Sequence, residues 1–175
     1  MEQIIKAKDG EIFEIAGMEF IKFPTVDGKV TVVMKDIAFR SEFGKNNDLR
    51  ESKVLDRMEK DILPKIIAAI GEENVCTVHT DLTTLCGLKT YGVMESHISL
   101  PTLDFYRANV EIFDKYPARG WWWLATPDSC KPHDDPYWTL CVSPSGGFSS
   151  DYYLFSSGVR PFLIFESSIF ESSEE

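Results

Sequence analysis

Three histidines and four cysteines are the side chains in this sequence that could carry nucleophilic or metal chemistry. His79 and Asp81 stand two positions apart, so a strand would place both on one face, where they could act together in acid–base catalysis. The run His-Asp-Asp at 133–135 lies just beyond Cys130, and this grouping offers several types of ligand to a metal ion. A surface pair and separate, reduced thiols explain the two patterns equally well.

The short motifs that mark common active sites are missing from the sequence. It contains no GxSxG, Walker A or GxGxxG string, and its cysteines form no CxxC pair of the kind that structural zinc sites use. Ser145-Gly146-Gly147 is typical of a turn between strands. We therefore expect a protein that is not an enzyme and that binds neither a cofactor nor a metal ion.

A different chemistry is indicated by polar and aromatic residues on predicted loops of the carboxyl-terminal half. Tyrosine supplies rigid contact area and Ser or Asp supplies adaptable hydrogen bonds, which is the composition of antibody paratopes. An ordinary solvated loop has a similar composition, so this alternative stays open. The candidate ligand-binding residues are His133, Asp134, Asp135, Tyr137, Thr139, Ser149, Ser150, Asp151, Tyr152, Tyr153 and Phe155.

The elements that would position these residues begin with three strands. Alternation of apolar and polar residues predicts strands at 11–15, 18–23 and 29–34, with Asp27-Gly28 as a hairpin turn. Residues 40–48 are predicted to be a polar loop. Apolar residues spaced by three and four then predict a long helix that starts at an Asn47 or Asp48 cap and ends at Gly71. Pro64 should kink or divide this helix.

The second half is predicted to be richer in loops. Residues 75–79 are a possible strand, 80–98 are irregular, and a shorter helix begins near Pro101 in its first turn. Further strands are predicted at 121–125, 138–142 and 159–165. The sum is an α+β fold in one domain over residues 1–170, followed by an acidic frayed tail at 171–175.

Two groups in this half have definite structural requirements. Trp121, Trp122 and Trp123 alternate across one strand, so at least one should reach the core and another the opposite side. Gly158 would allow a turn into the final strand, and Pro161 suits a strand edge or a bulge. Arg160, between apolar residues, needs a carboxylate or carbonyl partner if it is buried.

The formal net charge of -10 argues against sequence-independent binding to nucleic acid. The charge is explained either by solubility or by mimicry of nucleic acid. No apolar run approaches the roughly 18 to 20 residues of a membrane helix, and residues 1–15 lack the apolar centre of a signal peptide. We expect a location in the cytoplasm of the producing cell or in a larger particle, and no membrane partner.

Three strings in the carboxyl-terminal half carry a resemblance to a known family. GWWWLATP at 120–127, the turn at 142–147 and SGVRPFLIFESSIF at 157–170 follow the order WWLRSP…V…DG…GVRP. This order resembles a domain family of unknown function that is widespread in phages and prophages of gut bacteria. Segments 46–63 and 78–107 are similar to two further parts of the family pattern, so the resemblance covers about residues 18–170.

The resemblance implies a C-type-lectin-like fold, related to formylglycine-generating enzymes and to the variable proteins of diversity-generating retroelements. In those variable proteins a fixed scaffold carries diversified loops that bind ligands. The likeness places a ligand-binding face on residues 133–139 and 149–156. It assigns to the scaffold Trp122, Trp123, Gly158, Val159, Arg160 and Pro161.

The sequence also departs from these relatives. The EPN and WND strings of calcium-dependent lectins are absent, and residues 133–135 offer fewer than the six or more oxygens that calcium takes. Cys130 and Cys141 do not map onto an oxidase cysteine pair, and Ala125-Thr126 stands where the family has Arg-Ser. The likeness therefore carries over the fold and not calcium binding or oxidase activity.

Two functions from different classes are consistent with these observations. The first is a non-enzymatic ligand-binding or display module of phage or prophage origin, which presents its loops to a protein or glycan receptor. The second is a small acidic phage inhibitor of a host nucleic-acid-handling system, which would use its carboxylates. The sequence leaves the oligomeric state open.

Overall fold

The computed structural model describes residues 4–172, which form a mixed α+β fold with many strands and few helices. The α-helices are α1 (Lys53–Asp61), α2 (Leu63–Ile70), α3 (Leu103–Ala108) and α4 (Val110–Phe113), and short 3-10 turns lie at 49–51, 72–74 and 167–169. The strands are β1 (Ile12–Ile15), β2 (Met18–Val26), β3 (Lys29–Met34), β4 (Phe39–Ser41), β5 (Val78–Asp81), β6 (Val93–Ser96), β7 (Trp122–Pro127), β8 (Trp138–Val142), β9 (Phe148–Tyr152), β10 (Ser157–Val159) and β11 (Phe162–Glu166).

The first sheet has the strand order β1-β2-β3-β11 and is antiparallel throughout. Its three amino-terminal strands lie where alternation predicted them, and β2 runs three residues further. Asp27 and Gly28 both adopt positive φ, 51° and 75°, as a two-residue hairpin turn that follows the twist of the strands requires. The predicted hairpin is therefore confirmed.

The second sheet has the order β4-β10-β7-β8-β9, and only its β10–β7 pair is parallel. The prediction of one strand over 159–165 was wrong. Residues 157–159 belong to the second sheet and 162–166 to the first, so the chain passes between the sheets at Arg160-Pro161. Pro161, which cannot donate a backbone hydrogen bond, stands at this crossing and not at a sheet edge.

Strand β7 separates two hydrophobic clusters. Trp123 packs in the larger one with Phe43 and Val159, whereas Trp122 packs in the smaller one with Phe113 and Tyr106. Both indoles are fully buried, while Trp121 stands before the strand with 43% of its surface exposed. The alternation predicted for the tryptophans is confirmed, and Trp122 and Trp123 are core residues.

The predicted long helix is divided as expected at Pro64, which occupies the first turn of α2. Gly71 ends α2 with a φ of 89°. The cap prediction was only partly correct. Asp48 caps the short turn at 49–51, but the α-helix itself begins after Ser52, whose Oγ accepts a hydrogen bond from Leu55 N at 3.0 Å.

The middle of the chain holds more regular structure than its sequence predicted. The strand expected at 75–79 lies at 78–81 and pairs with β6, inside a region predicted to be irregular. The helix α3 begins after Thr102, so Pro101 precedes the cap and is not in the first turn. Strands β4 and β9 also occupy segments that were predicted to be loops.

Arg160 is 1% exposed, and its guanidinium donates hydrogen bonds to backbone carbonyl groups. Its Nε donates to Met34 O at 3.0 Å, and its Nη2 donates to Lys35 O at 2.7 Å and to Tyr116 O at 3.4 Å. The guanidinium also lies 4.8 Å from the centre of the Trp122 ring. Burial lowers the pKa of Arg160 to about 10, so the side chain remains charged at neutral pH. The requirement for buried carbonyl partners is confirmed.

Gly158 has a different role from the turn that its sequence context suggested. A Cβ atom at this position would lie 2.5 Å from the Ile37 side chain and 2.9 Å from Trp121 O. The strand β10 therefore needs glycine because Ile37, just before β4, and Trp121, just before β7, approach it closely.

The predicted frayed tail lies partly outside the described residues. Glu171 is exposed, but its backbone N–H donates to Ile5 O at 2.8 Å, so the tail begins beside the amino-terminal segment. Residues 173–175 are not described.

Candidate functional site

Five aromatic side chains meet at the outer end of β8 and β9, and we call them the aromatic face: Tyr137, Trp138, Tyr152, Tyr153 and Phe155. Tyr152 is the centre of the group, with ring centroids 4.6 Å from Tyr153 and 5.6 Å from Trp138. It also lies 6.1 Å from both Tyr137 and Phe155. The predicted tyrosines therefore stand together.

The aromatic face is open to solvent at its rim. Phe155 is 57% exposed, Trp138 42% and Tyr137 37%, whereas Tyr152 and Tyr153 are half-buried beneath them. A side-chain hydrogen bond with Tyr152 raises the pKa of Tyr153, so the Tyr153 phenol is neutral at physiological pH. The surface thus offers large apolar area together with phenolic hydroxyl groups, the combination found in binding hot spots.

Backbone hydrogen bonds hold Tyr137 and Trp138, on the β8 side of the aromatic face, in register with Tyr152 and Tyr153 on the β9 side. Trp138 is the cross-strand partner of Tyr152, and Tyr153 N donates to Tyr137 O at 2.9 Å. Phe43 N in turn donates to Tyr153 O at 2.8 Å, which ties the end of the hairpin to the segment before α1.

Asn47 is the residue that anchors the loop leading into the aromatic face. It is completely buried, and its Nδ2 donates to Ser129 O at 2.7 Å and to Trp138 O at 2.9 Å. Its Oδ1 accepts a hydrogen bond from the Tyr91 hydroxyl at 2.7 Å, and its backbone N–H donates to Pro136 O. The sequence predicted Asn47 only as a helix cap, because partners more than forty residues away leave no local signal.

The polar candidates on β9 border the aromatic face. Ser149 is exposed, and Ser150 and Asp151 are partly exposed, but all three lie in a strand and not in the loop that was predicted. Asp151 Oδ1 accepts a hydrogen bond from Tyr152 N at 2.9 Å. These side chains could supply hydrogen bonds at the rim.

Thr139 was wrongly predicted to belong to the ligand-binding set. It lies inside β8 opposite Asp151 and has no exposed surface. Its Oγ1 has no hydrogen-bond partner within residues 4–172. A residue enclosed in this way cannot contact a ligand, so Thr139 is removed from the site.

The residues His133, Asp134 and Asp135 are exposed on the loop between β7 and β8. Asp135 pairs with Lys131 at 2.9 Å, and the contact of the His133 ring is with Cys86. Within residues 4–172, no side-chain hydrogen bond or ion pair joins these three residues to the five rings.

The patterns that suggested catalysis or a metal site do not converge. His79 Nδ1 lies 3.5 Å from Glu95 Oε1, whereas Asp81 bonds to Thr83. Across residues 4–172, no three His, Cys, Asp or Glu side chains come together as metal ligands would. In the same part of the chain, no helix has the length and apolar character needed to cross a membrane.

Comparison of the chain with protein-family models, with curated proteins and with solved structures finds no match.

Proposed function

We propose that this protein is a non-enzymatic ligand-binding module that presents its aromatic face to a polypeptide ligand. The observation that carries the proposal is the aromatic face itself, five packed rings of which three are more than one third exposed. Rigid aromatic side chains contribute large contact area at a small loss of conformational entropy, so they are typical anchors of interfaces.

The edge position of β9 favours a polypeptide over a glycan. The strand is the last of the second sheet, and within residues 4–172 no strand pairs with its outer side. An extended segment of a partner could add to this edge through backbone hydrogen bonds while its side chains contact Tyr152 and Trp138. A glycan receptor, which would stack on the rings without using the edge, is the other outcome of the test.

We further propose the C-type-lectin-like scaffold that the sequence resemblance implies. In support, β3 near the start of the chain pairs with β11 near its end, and the carboxyl-terminal strands carry the candidate face. The scaffold residues Trp122, Trp123 and Arg160 are buried, as supports of a display surface should be. The phage or prophage origin, with a location in the producing cell or in the particle, rests on the motif resemblance alone.

The alternative of an acidic inhibitor rests on the net charge of -10. Several carboxylates are already neutralised by neighbouring bases, for example Asp56 by Lys60, Glu42 by Lys53 and Asp135 by Lys131. These pairs leave the net charge of -10 unchanged, because it already counts the bases, so the salt dependence of binding separates the two functions.

The test is selection from a random-peptide library on the immobilised protein, with a glycan array probed in parallel. The dissociation constant of a selected synthetic peptide is then measured for the native protein and for Trp138→Ser and Phe155→Ser. We expect each substitution to weaken binding about tenfold, the effect of a hot-spot residue. The matched control is Trp121→Ser, because Trp121 is as exposed as Trp138 and, within residues 4–172, forms no ring pair with the aromatic face.

Equal affinities for the native protein and both variants would overturn the proposal. So would binding to the glycan array alone, which would make the face a glycan site. Affinity that falls steeply with salt and ignores both substitutions would favour the acidic inhibitor.

A further inference from the structure

A nucleophilic side chain and a base meet away from the aromatic face, in a place that no sequence motif indicated. The exposed thiol of Cys86 lies 3.8 Å from His133 Nδ1. Two hydroxyl groups complete the surroundings, with Ser129 Oγ at 3.3 Å and Thr84 Oγ1 at 3.2 Å from the sulfur.

Two separately anchored segments bring these groups together. The turn that carries Cys86 is closed by Thr84 Oγ1, which accepts a hydrogen bond from Leu88 N at 2.9 Å. Leu85 N donates to Pro127 O at 2.9 Å, which fixes the turn against the end of β7. The segment with Ser129 and His133 is held by Asn47, so the thiol and the imidazole approach each other without a covalent link.

The surroundings of Cys86 favour its thiolate form. Hydrogen bonds from Ser129, Thr84 and His133 lower its pKa to about 7. His133 is the titratable side chain in contact with the sulfur, and the other two partners are neutral hydroxyls. A thiolate with a pKa near the ambient pH is close to the optimum for attack on a disulfide.

The other three thiols have the opposite surroundings. Cys76, Cys130 and Cys141 are buried. Burial raises the pKa of Cys76, and it raises the pKa of Cys141 to about 12. These thiols therefore serve as internal controls, since all three are buried and the raised pKa values of Cys76 and Cys141 further disfavour their thiolate forms.

We propose that Cys86 is a modification site that takes up a small thiol by exchange with a low-molecular-weight disulfide. The Cys86 sulfur attacks one sulfur of the disulfide after its proton passes to His133. The disulfide bond breaks, a new S–S bond joins Cys86 to one half, and the other half leaves as a thiol that takes the proton from His133. Cys86 is oxidised and the small disulfide is reduced, so the exchange needs no further oxidant.

The test uses the full, reduced chain and glutathione disulfide as the probe. Peptide mass spectrometry identifies the modified cysteine, and the rate of adduct formation is measured from pH 5.5 to pH 9.5. We expect one adduct, on Cys86, with a rate that rises with pH around a midpoint near 7. The Cys86→Ser variant should form no adduct.

Replacing His133 tests whether the Cys86 thiol is activated by a base or is only exposed. In His133→Gln the midpoint should move up only part of the way toward about 8.5, the ordinary value of a free cysteine, because the hydrogen bonds from Ser129 and Thr84 remain. The rate at pH 7 should fall by at most about threefold, because the smaller thiolate fraction is partly offset by the greater nucleophilicity of a more basic thiol. His79→Gln is the matched control, since this exposed histidine contacts Glu95 and no thiol.

Three results would overturn the proposal. They are faster modification of a buried cysteine, a midpoint in the native protein at or above about 8.5, and an unchanged midpoint in His133→Gln. A thermal melt of each variant verifies that the exposed substitutions leave the fold intact.

Discussion

Arg160 shows how a single charged residue can organise the junction between two sheets. Its guanidinium donates to backbone carbonyls from the end of β3 and from the segment after α4, and it stacks on Trp122. Within residues 4–172 no carboxylate pairs directly with the guanidinium, although Asp36 favours its charge from a greater distance. Three hydrogen bonds and the Trp122 ring compensate for its lost hydration. The side chain thus links three segments that are distant in sequence.

We predict that Arg160→Ala destabilises the fold by about 3 kcal/mol. The substitution leaves buried carbonyl groups unpaired and opens a cavity beside Trp122. The measurement is the free energy of unfolding from urea denaturation. Arg119→Ala is the control, because Arg119 is exposed and its side chain forms a surface pair with Asp36. An unchanged melting temperature in Arg160→Ala would contradict a structural role for the buried charge.

The environment of a single residue was predictable from sequence where it depends on adjacent residues or where the side chain needs partners in any fold. Arg160 between apolar neighbours had to find acceptors if buried, whatever the fold. Thr139 and Asn47 were misjudged because their environments are set by distant strands. Cys86 and His133 are 47 positions apart, and nothing in either local context indicates that they meet.

At the scale of elements, the position of β10 between β4 and β7 leaves no space for a side chain at Gly158. The strand is only three residues long, and it makes its pair with β7 through a single register position, Gly158 with Trp122. Any side chain at Gly158 would contact Ile37 and the Trp121 carbonyl at once.

We predict that Gly158→Ala costs about 1–3 kcal/mol of stability, the typical penalty of overpacking a tight site. Thermal unfolding followed by circular dichroism measures the loss. The control is Gly147→Ala, where the nearest atom to the added methyl group is Ser143 Oγ at 3.7 Å. Equal stability of the two variants would show that β10 can shift to accept a side chain.

Elements whose boundaries are determined by residues close in sequence were predicted well. The strands β1 to β3, the hairpin at Asp27-Gly28 and the division of the helix at Pro64 all follow from local patterns. The strands β4, β6 and β9 were missed because they are short or polar, and their regular form depends on pairing with partners across the sheet. The aromatic face was therefore predicted in composition, but its placement on a strand pair was not.

At the scale of the whole molecule, β7 divides two clusters of apolar side chains, and Arg160-Pro161 joins the two sheets. The strand pairs β3–β11 and β4–β10 connect residues more than one hundred positions apart. Neither sheet can be completed without the carboxyl-terminal strands, so the two sheets should lose their structure together.

We predict one cooperative unfolding transition. The tryptophans all lie in or beside the second sheet, so their fluorescence reports on that sheet, whereas far-ultraviolet circular dichroism reports on the whole chain. The midpoints of urea unfolding measured by the two probes should coincide. Separate midpoints would mean that the sheets unfold independently and that the chain comprises two folding units.

The place of β4 in the second sheet bears on how the protein is made. This strand leaves the ribosome early, yet its partner β10 is translated some hundred residues later, a delay of roughly 10 s at common rates of synthesis. Until then the nascent chain exposes an unpaired strand edge and the aromatic residues that β10 helps to cover. The second sheet should therefore form only once residues 157–159 have emerged from the ribosome.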